Sequence, residues 1–228
     1  MAANAYDDSS YRTIDEWKNG IGWIAYPDET MERASHAVVG NRGGVWIIDP
    51  VDTPEVDQLL RELGEVTGVV VCLDRHRRDA ATVAKRHEVS VYIPSSLASI
   101  QDEIQAPTTV FEHELGDSGY RPFTIVNRRI PPWREAGLYH PQAKTAIIPE
   151  SLGTASYFTA PSENLGVHPM LRLTPPRDAF HSINPSRILV GHGQGVFDDA
   201  TRSLELALAN SRKTMMRSYA DAFKSLLA

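Results

Sequence analysis

A continuous apolar run that ends in a cluster of charged residues is the strongest constraint on the fold of this chain. The run, Val69 to Leu73, is rich in β-branched residues, which is typical of a strand buried on both faces. The cluster Asp74-Arg75-His76-Arg77-Arg78-Asp79 follows directly, and a helical pattern from about Ala80 to His87 comes next. Because α/β proteins place their chemistry at the carboxyl ends of strands, we expect the cluster to form part of a site.

The segments around this run predict a βαβ arrangement. Val45 to Ile48 has the pattern of a strand, and Asp49 follows it before a proline. The stretch from Thr53 to Gly64 begins with a capping residue and a proline and ends with a glycine, as helices do. Val89 to Ile93 predicts a further strand. Strands that alternate with helices in this way indicate a parallel sheet.

Further strands are expected on both sides of this unit. Ile21 to Tyr26 and Ala34 to Val39 precede it, and Gly40 to Gly44 predicts a hairpin turn. Four short strands separated by turn residues are expected in the middle of the chain, at 109–111, 123–126, 137–140 and 145–148.

The last part of the chain brings a second polar loop. Ser151 to Pro185 is rich in proline, serine, threonine and glycine, and we interpret it as a long ordered loop close to a site. The strand Ile188 to Val190 ends in Gly191-His192-Gly193, and a long helix begins near Asp198 or Asp199. We therefore expect a single α/β domain over 1–228, with two sheets, helices packed outside them and residues 1–15 frayed.

Composition narrows the class of protein. The net charge of -6 and the scattered arginines do not favour nucleic-acid binding. The single cysteine, Cys72, excludes an internal disulfide and a multi-cysteine zinc site. No apolar run has the length of a membrane span, and the first residues lack the apolar core of a signal peptide. We expect a cytoplasmic protein with a small-molecule substrate and no membrane partner; a homo-oligomer stays open.

This order of strands, with an acidic-histidine loop after a βα unit and a late Gly-His-Gly, resembles the metallo-β-lactamase fold superfamily from about Ile21 to the final helix. The resemblance implies a four-layer αββα sandwich of two mixed sheets with outer helices. It also implies one or two metals held by loops at one edge of the sheets. The ligands in that family are an Asp that ends a strand, an HxHxDH loop, a later His, a bridging Asp and a final His.

The chain departs from this ligand pattern at several positions. Asp49 matches the first ligand and His192 the last. In the HxHxDH loop only His76 is kept, with Asp74, Arg78 and Asp79 in place of the first His, the Asp and the last His. Glu135 stands where the later His belongs, with His140 as a nearby rival, and Glu150 stands where the bridging Asp belongs.

Most of these substitutions stay within the chemistry of metal ligands. The predicted ligands are Asp74, His76, Glu135, Glu150 and His192. Carboxylates crowded together without a cation would repel one another, and one divalent ion, zinc, manganese or iron, would relieve this. The oxygen-rich set favours manganese, iron or magnesium, although zinc stays open. Arg78 puts a permanent positive charge where a second metal would lie, which limits the site to one metal at most.

Two functions follow from these residues. The first is a hydrolase whose metal-bound water attacks an ester, a thioester or a phosphodiester, with Asp79 as ligand or general base and Arg78 steadying negative charge. The second is a metal-free relative, in which a salt-bridge network around Arg78 replaces the ion and the pocket binds a ligand or a protein. Redox chemistry at a non-haem iron is a third, less favoured hypothesis.

Each candidate also has a plain structural explanation. Asp79 precedes a helix and suits its N-cap, Asp49 suits a turn before Pro50, and His192 suits a turn between glycines. Glu135 suits an exposed strand position and Glu150 the cap of the next turn. The remaining histidines of note are expected at the surface or in loops: His36, His87, His113, His168 and His181.

Overall fold

The computed structural model describes the backbone of residues 11–225 and the side chains of residues 11–215. Residues 1–10 of the segment expected to fray lie outside the described residues. Residues 12–15 of that segment belong to the first strand of the fold.

A seven-stranded mixed sheet forms the first half of the chain. Its strands lie side by side in chain order: β1 (Arg12–Trp17), β2 (Gly20–Ile24), β3 (Ala34–Val39), β4 (Val45–Ile48), β5 (Val66–Val70), β6 (Val91–Pro94) and β7 (Thr108–Phe111). Neighbours from β1 to β4 are antiparallel, and neighbours from β4 to β7 are parallel. The parallel strands are connected by three helical segments: α1 (Val56–Leu63), α2 (Ala80–Arg86) and the 3₁₀ helix Ser95–Glu103. The predicted βαβ arrangement is confirmed.

A four-stranded mixed sheet follows. Its spatial order is β13 (Arg187–Val190), β10 (Thr145–Ile148), β9 (Pro132–His140) and β8 (Arg121–Arg129). β10 and β13 are parallel, while β8, β9 and β10 pair antiparallel. A small pair, β11 (Leu152–Gly153) and β12 (Gly166–Val167), and the last helix, α3 (Ala200–Ser225), complete the elements that matter for the site.

Side-chain alternation along the strands divides the interior into separate clusters. On β5, Val69 packs with α1 and α2, whereas Val70 packs against the second sheet. Successive side chains of a strand point to opposite faces, so one strand serves both cores. On the far side of the second sheet, Ile148 and Ile188 pack with Leu204 of α3. The layers are therefore helix, sheet, sheet and helix, which confirms the predicted αββα sandwich.

The two sheets are joined at one edge by backbone hydrogen bonds. Beyond β5, Leu73 forms an isolated antiparallel bridge with Glu135 of β9. Before β3, Arg33 forms another with His192, and Ala34 N donates to Gly191 O at 2.9 Å. These contacts bring the loops after β5 and β13 together, although the loops are far apart in the chain.

The segment predicted as a long loop over 151–185 is tied to α3 by a buried arginine. Arg172 is fully buried and pairs with Glu163 at 2.7 Å. It also donates to the hydroxyl of Thr214 on α3 and to the carbonyl of Phe158. Because an arginine with these partners holds several segments in one geometry, the loop has a fixed course across the second sheet.

Some of these elements differ from the predicted ones. β3, β4 and β10 have the predicted bounds, and the hairpin at Gly40 closes through Gly43 N to Gly40 O. β1 and the 3₁₀ helix Ser95–Glu103 were not predicted. Among the described residues, no helix is long and apolar enough to cross a membrane.

Leu138 on β9 provides a test of the core between the sheets, because its side chain is fully buried there. We expect Leu138→Ala to lower the free energy of unfolding by about 3 kcal/mol, through lost burial and the cavity left behind. Leu173→Ala, at a 60% exposed position, should change it by less than about 0.5 kcal/mol. Urea unfolding of both variants measures the difference. Equal effects would contradict the packing described.

Candidate metal centre

Three predicted ligands converge at the edge where the sheets are joined. Among the described residues, His76, Glu150 and His192 form the group whose ligand atoms all lie within 4.8 Å of one another. They follow β5, β10 and β13, and all three side chains are buried. Because β10 and β13 are parallel, the residues after them meet at the same edge.

His76 is oriented by the carboxylate of Asp49. Its Nδ1 lies 3.2 Å from Asp49 Oδ2, while Asp49 Oδ1 accepts a hydrogen bond from Cys72 N at 2.8 Å. An ionised carboxylate only accepts, so the imidazole carries a proton on Nδ1. The other nitrogen, Nε2, faces Glu150 Oε2 at 3.3 Å. This pairing of carboxylate and histidine is the arrangement that orients histidine ligands in metal sites.

His192 presents its Nε2 in the same way. Its Nδ1 donates to Met31 O at 2.8 Å, and its ring stacks on Phe158 with a centroid separation of 5.1 Å. Burial lowers the pKa of His192 well below its ordinary value, and the charges of His76 and Arg78 act in the same direction. Its buried Nε2 has no hydrogen-bond partner within the described part of the chain. His192 is therefore neutral and leaves one lone pair unused.

Glu150 supplies the negative charge of the group. Burial raises the pKa of Glu150, but its hydrogen bond to His76 and the charges of His76 and Arg75 outweigh burial and hold that pKa below its ordinary value. Arg75 Nε donates to Glu150 Oε2 at 3.1 Å, and its guanidinium lies 4.2 Å from the ring centroid of Trp133. The carboxylate is thus ionised at neutral pH.

Arg78 lies beside the group and holds strand ends together. Its Nη1 donates to Ala34 O at 2.7 Å and to Asp49 O at 2.8 Å, and its Nη2 donates to Gly191 O at 3.2 Å. Nη2 also lies 3.4 Å from His76 Nε2. Burial lowers the pKa of Arg78 to about 10, against the opposing charge of Asp49. It therefore stays a cation at neutral pH.

The structure turns Asp74 and Asp79 away from this group. Asp74 Oδ2 accepts a hydrogen bond from Arg134 N at 2.9 Å, and Asp79 Oδ2 accepts one from Asp52 N at 2.9 Å. Asp79 does occupy the N-cap position of α2, but its side chain makes no capping hydrogen bond. The Asp74 carboxylate satisfies a backbone N–H of β9, and the Asp79 carboxylate satisfies one in the loop before α1.

Glu135 also supports the group from outside. Its Oε1 accepts hydrogen bonds from Glu150 N at 2.9 Å and Ser151 N at 2.8 Å, and its Oε2 accepts one from Trp133 Nε1 at 2.9 Å. Burial raises the pKa of Glu135, and these hydrogen bonds oppose that rise. The carboxylate fixes the backbone of Glu150. The rival His140 lies at the other end of β9, where it contacts Asn41 at 3.0 Å.

His168 adjoins the group, although the sequence predicted a surface or loop position for it. Its side chain is buried, and its Nε2 lies 3.5 Å from Glu150 Oε1. The pairing of β11 with β12 brings it there, since His168 N donates to Ser151 O at 2.9 Å. One feature of the sequence could have indicated this position: His168 precedes a proline in a segment that was expected to lie near a site. His36 is likewise buried, with Nε2 2.9 Å from Val190 O.

Solved structures with the same arrangement of sheets and helices identify the fold. DIM-1 metallo-β-lactamase exposed to ceftazidime matches with a TM-score of 0.55 and 13% identity over 94% of this chain and 99% of that chain. The chain has the metallo-β-lactamase fold. TMB-1 matches with a TM-score of 0.58 and 13% identity, over 90% of this chain and 99% of that one.

A second kind of protein shares this fold. A fragment of a putative diflavin flavoprotein from Nostoc sp. PCC 7120 matches with a TM-score of 0.57 and 12% identity, over 93% of this chain and 98% of that chain. No protein-family model matches the chain, and no curated protein sequence matches it. The likeness therefore lies in the fold, and the function has to be argued from the residues of the site.

Glu135 can be tested by its effect on stability. We expect Glu135→Ala to lower the free energy of unfolding by about 3 kcal/mol, because the buried N–H groups of Glu150, Ser151 and Trp133 lose their acceptor. Glu112→Ala, at an exposed position, should change it by less than about 0.5 kcal/mol. Urea unfolding at neutral pH compares the two. A neutral effect at Glu135 would contradict its supporting role.

Arg78 can be tested with a charge-conserving control. We expect Arg78→Ala to cost about 3 kcal/mol of stability, because the carbonyls at the ends of three strands lose their donor. Arg78→Lys should recover only part of the loss, since an ammonium lacks the planar fork that reaches several acceptors. Full recovery in Arg78→Lys would show that charge alone matters. Thermal and urea unfolding provide the comparison.

Proposed function

We propose that the chain is a metal-dependent hydrolase that holds one divalent ion between His76, Glu150 and His192. The observation that carries the proposal is the orientation of the two imidazoles. Each has its Nδ1 bound to an acceptor, Asp49 in one case and Met31 O in the other. Both Nε2 atoms therefore face the same small volume beside an ionised carboxylate.

The donor set fits a divalent ion. Three possible ligand atoms lie together in a buried place, and the Nε2 of His192 has no partner among the described residues. Buried acceptors without a cation or a proton between them are unfavourable. Two imidazoles and one carboxylate are the protein ligands of several catalytic zinc sites. With Asp74 and Glu135 outside the group, the set is less rich in oxygen than the sequence predicted, which makes zinc a suitable ion alongside iron(II).

Arg78 favours one ion rather than two. Its guanidinium is fixed by three backbone carbonyls and lies 3.4 Å from His76 Nε2. A second cation beside it would meet a permanent positive charge at short range. The same charge would stabilise negative charge that develops on a substrate next to His76.

The remaining residues support hydrolysis in distinct ways. A bound divalent ion supplies Lewis acidity and lowers the pKa of water toward neutrality, which suits attack on an ester, a thioester or a phosphodiester. Asp49 holds a proton on Nδ1 of His76, and Met31 O does the same for His192, so Nε2 is the atom that each ring would offer to an ion. Asp79 has no general-base role in this proposal, because its Oδ2 accepts a hydrogen bond from Asp52 N.

Metal binding is the first test. We expect about one equivalent of zinc in protein reconstituted with the metal, and almost none in His76→Ala or His192→Ala. At a free metal concentration of 100 Kd the ion should stabilise the fold by about 2.7 kcal/mol, which raises Tm by about 5–10 °C. EDTA should reverse the shift. His113→Ala, at an exposed position, serves as the control.

Activity is the second readout of the same experiment. Chromogenic esters, thioesters and phosphodiesters should be hydrolysed by the zinc-loaded protein and not by zinc-treated His192→Ala. The proposal would be refuted if the wild-type protein took up no metal after reconstitution and its Tm did not change on addition of EDTA. The metal-free network around Arg78 would then be the remaining explanation.

A further inference from the structure

His168 is a fixed, neutral donor beside the candidate centre. Its Nδ1 accepts a hydrogen bond from Met170 N at 3.2 Å, so its proton lies on Nε2. Its backbone N–H is bound to Ser151 O at 2.9 Å, which ties it to the residue that follows Glu150.

The two oxygens of Glu150 have different neighbours. Oε2 lies 3.3 Å from His76 Nε2 and accepts from Arg75 at 3.1 Å. Oε1 lies 3.5 Å from His168 Nε2, which is longer than an ordinary hydrogen bond but within range of an electrostatic contact. With His168 on the side of Oε1, Oε2 is the oxygen that lies beside His76.

Aromatic contacts hold the His168 ring in this position. The ring meets Trp133 edge to face, with centroids 4.9 Å apart, and Phe158 with centroids 5.4 Å apart. Phe158 in turn stacks on His192. The same ring therefore contacts Glu150 directly and His192 through one intervening side chain.

We propose that His168 is a positioning residue of this centre, which holds Oε1 of Glu150 and so presents Oε2 beside His76 and His192. This inference rests on the proposed function, because it needs a metal that Glu150 binds. His168 is not a ligand in this arrangement, since Nδ1 is used by Met170 N and Nε2 carries the proton. Partners that orient a ligand in this way typically change metal affinity by about 10–100-fold when removed.

Two substitutions at this position separate its hydrogen bond with Met170 N from its contact with Glu150. His168→Asn keeps an acceptor for Met170 N, as a good capping residue does, but is too short to reach Glu150. His168→Gln keeps a donor at about the distance of Nε2. Both lose the ring, so differences between them do not come from lost aromatic packing.

The experiment measures metal affinity rather than activity. Zinc affinity of the wild type and both variants is measured by competition with a chromophoric chelator, and the visible absorption of the cobalt-loaded proteins reports ligand geometry. We expect His168→Asn to bind zinc about 10–100-fold more weakly and to alter the cobalt spectrum. His168→Gln should stay within about threefold of the wild type. Circular dichroism of the metal-free proteins checks that both variants fold.

Each other result overturns the inference in a recognisable way. Wild-type affinity in His168→Asn would show that His168 does not position Glu150. Equally weak binding in both variants would show that His168 is itself a ligand or acts through its ring alone. A wild-type protein that binds no metal refutes the proposed function itself, and with it the centre that His168 would position.

Discussion

The hydrogen bonds that Asp49 accepts set the geometry on which the candidate centre depends. Asp49 follows β4 with a positive φ of 45°, a conformation that non-glycine residues adopt at a cost. In return its carboxylate holds both Cys72 N and Nδ1 of His76. The carboxylate thus ties the end of one parallel strand to the loop of the next. It also decides which nitrogen of His76 faces the other ligands, and a freely turning ring would offer no defined ligand atom.

Two buried glutamates lie at the edge where the sheets are joined, and their different neighbours give them different roles. Glu135 receives three N–H donors and needs no cation, because its charge is already compensated by dipoles. Glu150 meets histidines and an arginine instead, so its charge faces the space between the ligands. A glutamate at the position where the resemblance implied a histidine has therefore become a support for the ligand loop. At this position a glutamate that holds the backbone of Glu150 and Ser151 stands where the resemblance implied a metal ligand.

Much of the fold followed from periodicity, whereas the site followed only in part. The apolar run at Val69 and the glycines of the hairpin at Gly40 predicted strands and turns because local physics decides them. His76, Glu150 and His192 were predicted as ligands from the resemblance to a known ligand pattern and from their side-chain chemistry, and the structure brings these three together. Asp74 and Glu135 have side chains that could bind a metal. The sequence does not reveal that backbone N–H groups use these carboxylates as acceptors instead. His168 was missed because its position depends on the pairing of β11 with β12. Each of these strands has only two residues, which is too short to give a periodic pattern in the sequence.

The buried arginine in the long loop makes the last helix a remote part of the candidate centre. Arg172 connects Glu163 and the carbonyl of Phe158 with Thr214 of α3. Phe158 lies against His192, so a side chain on α3 is separated from a ligand by only two residues. Thr214 of α3 thus contributes to the shape of the candidate site through the side chains of Arg172 and Phe158. Removal of the Thr214 hydroxyl would therefore act on the packing of His192 through two intervening side chains, at a distance from both sheets.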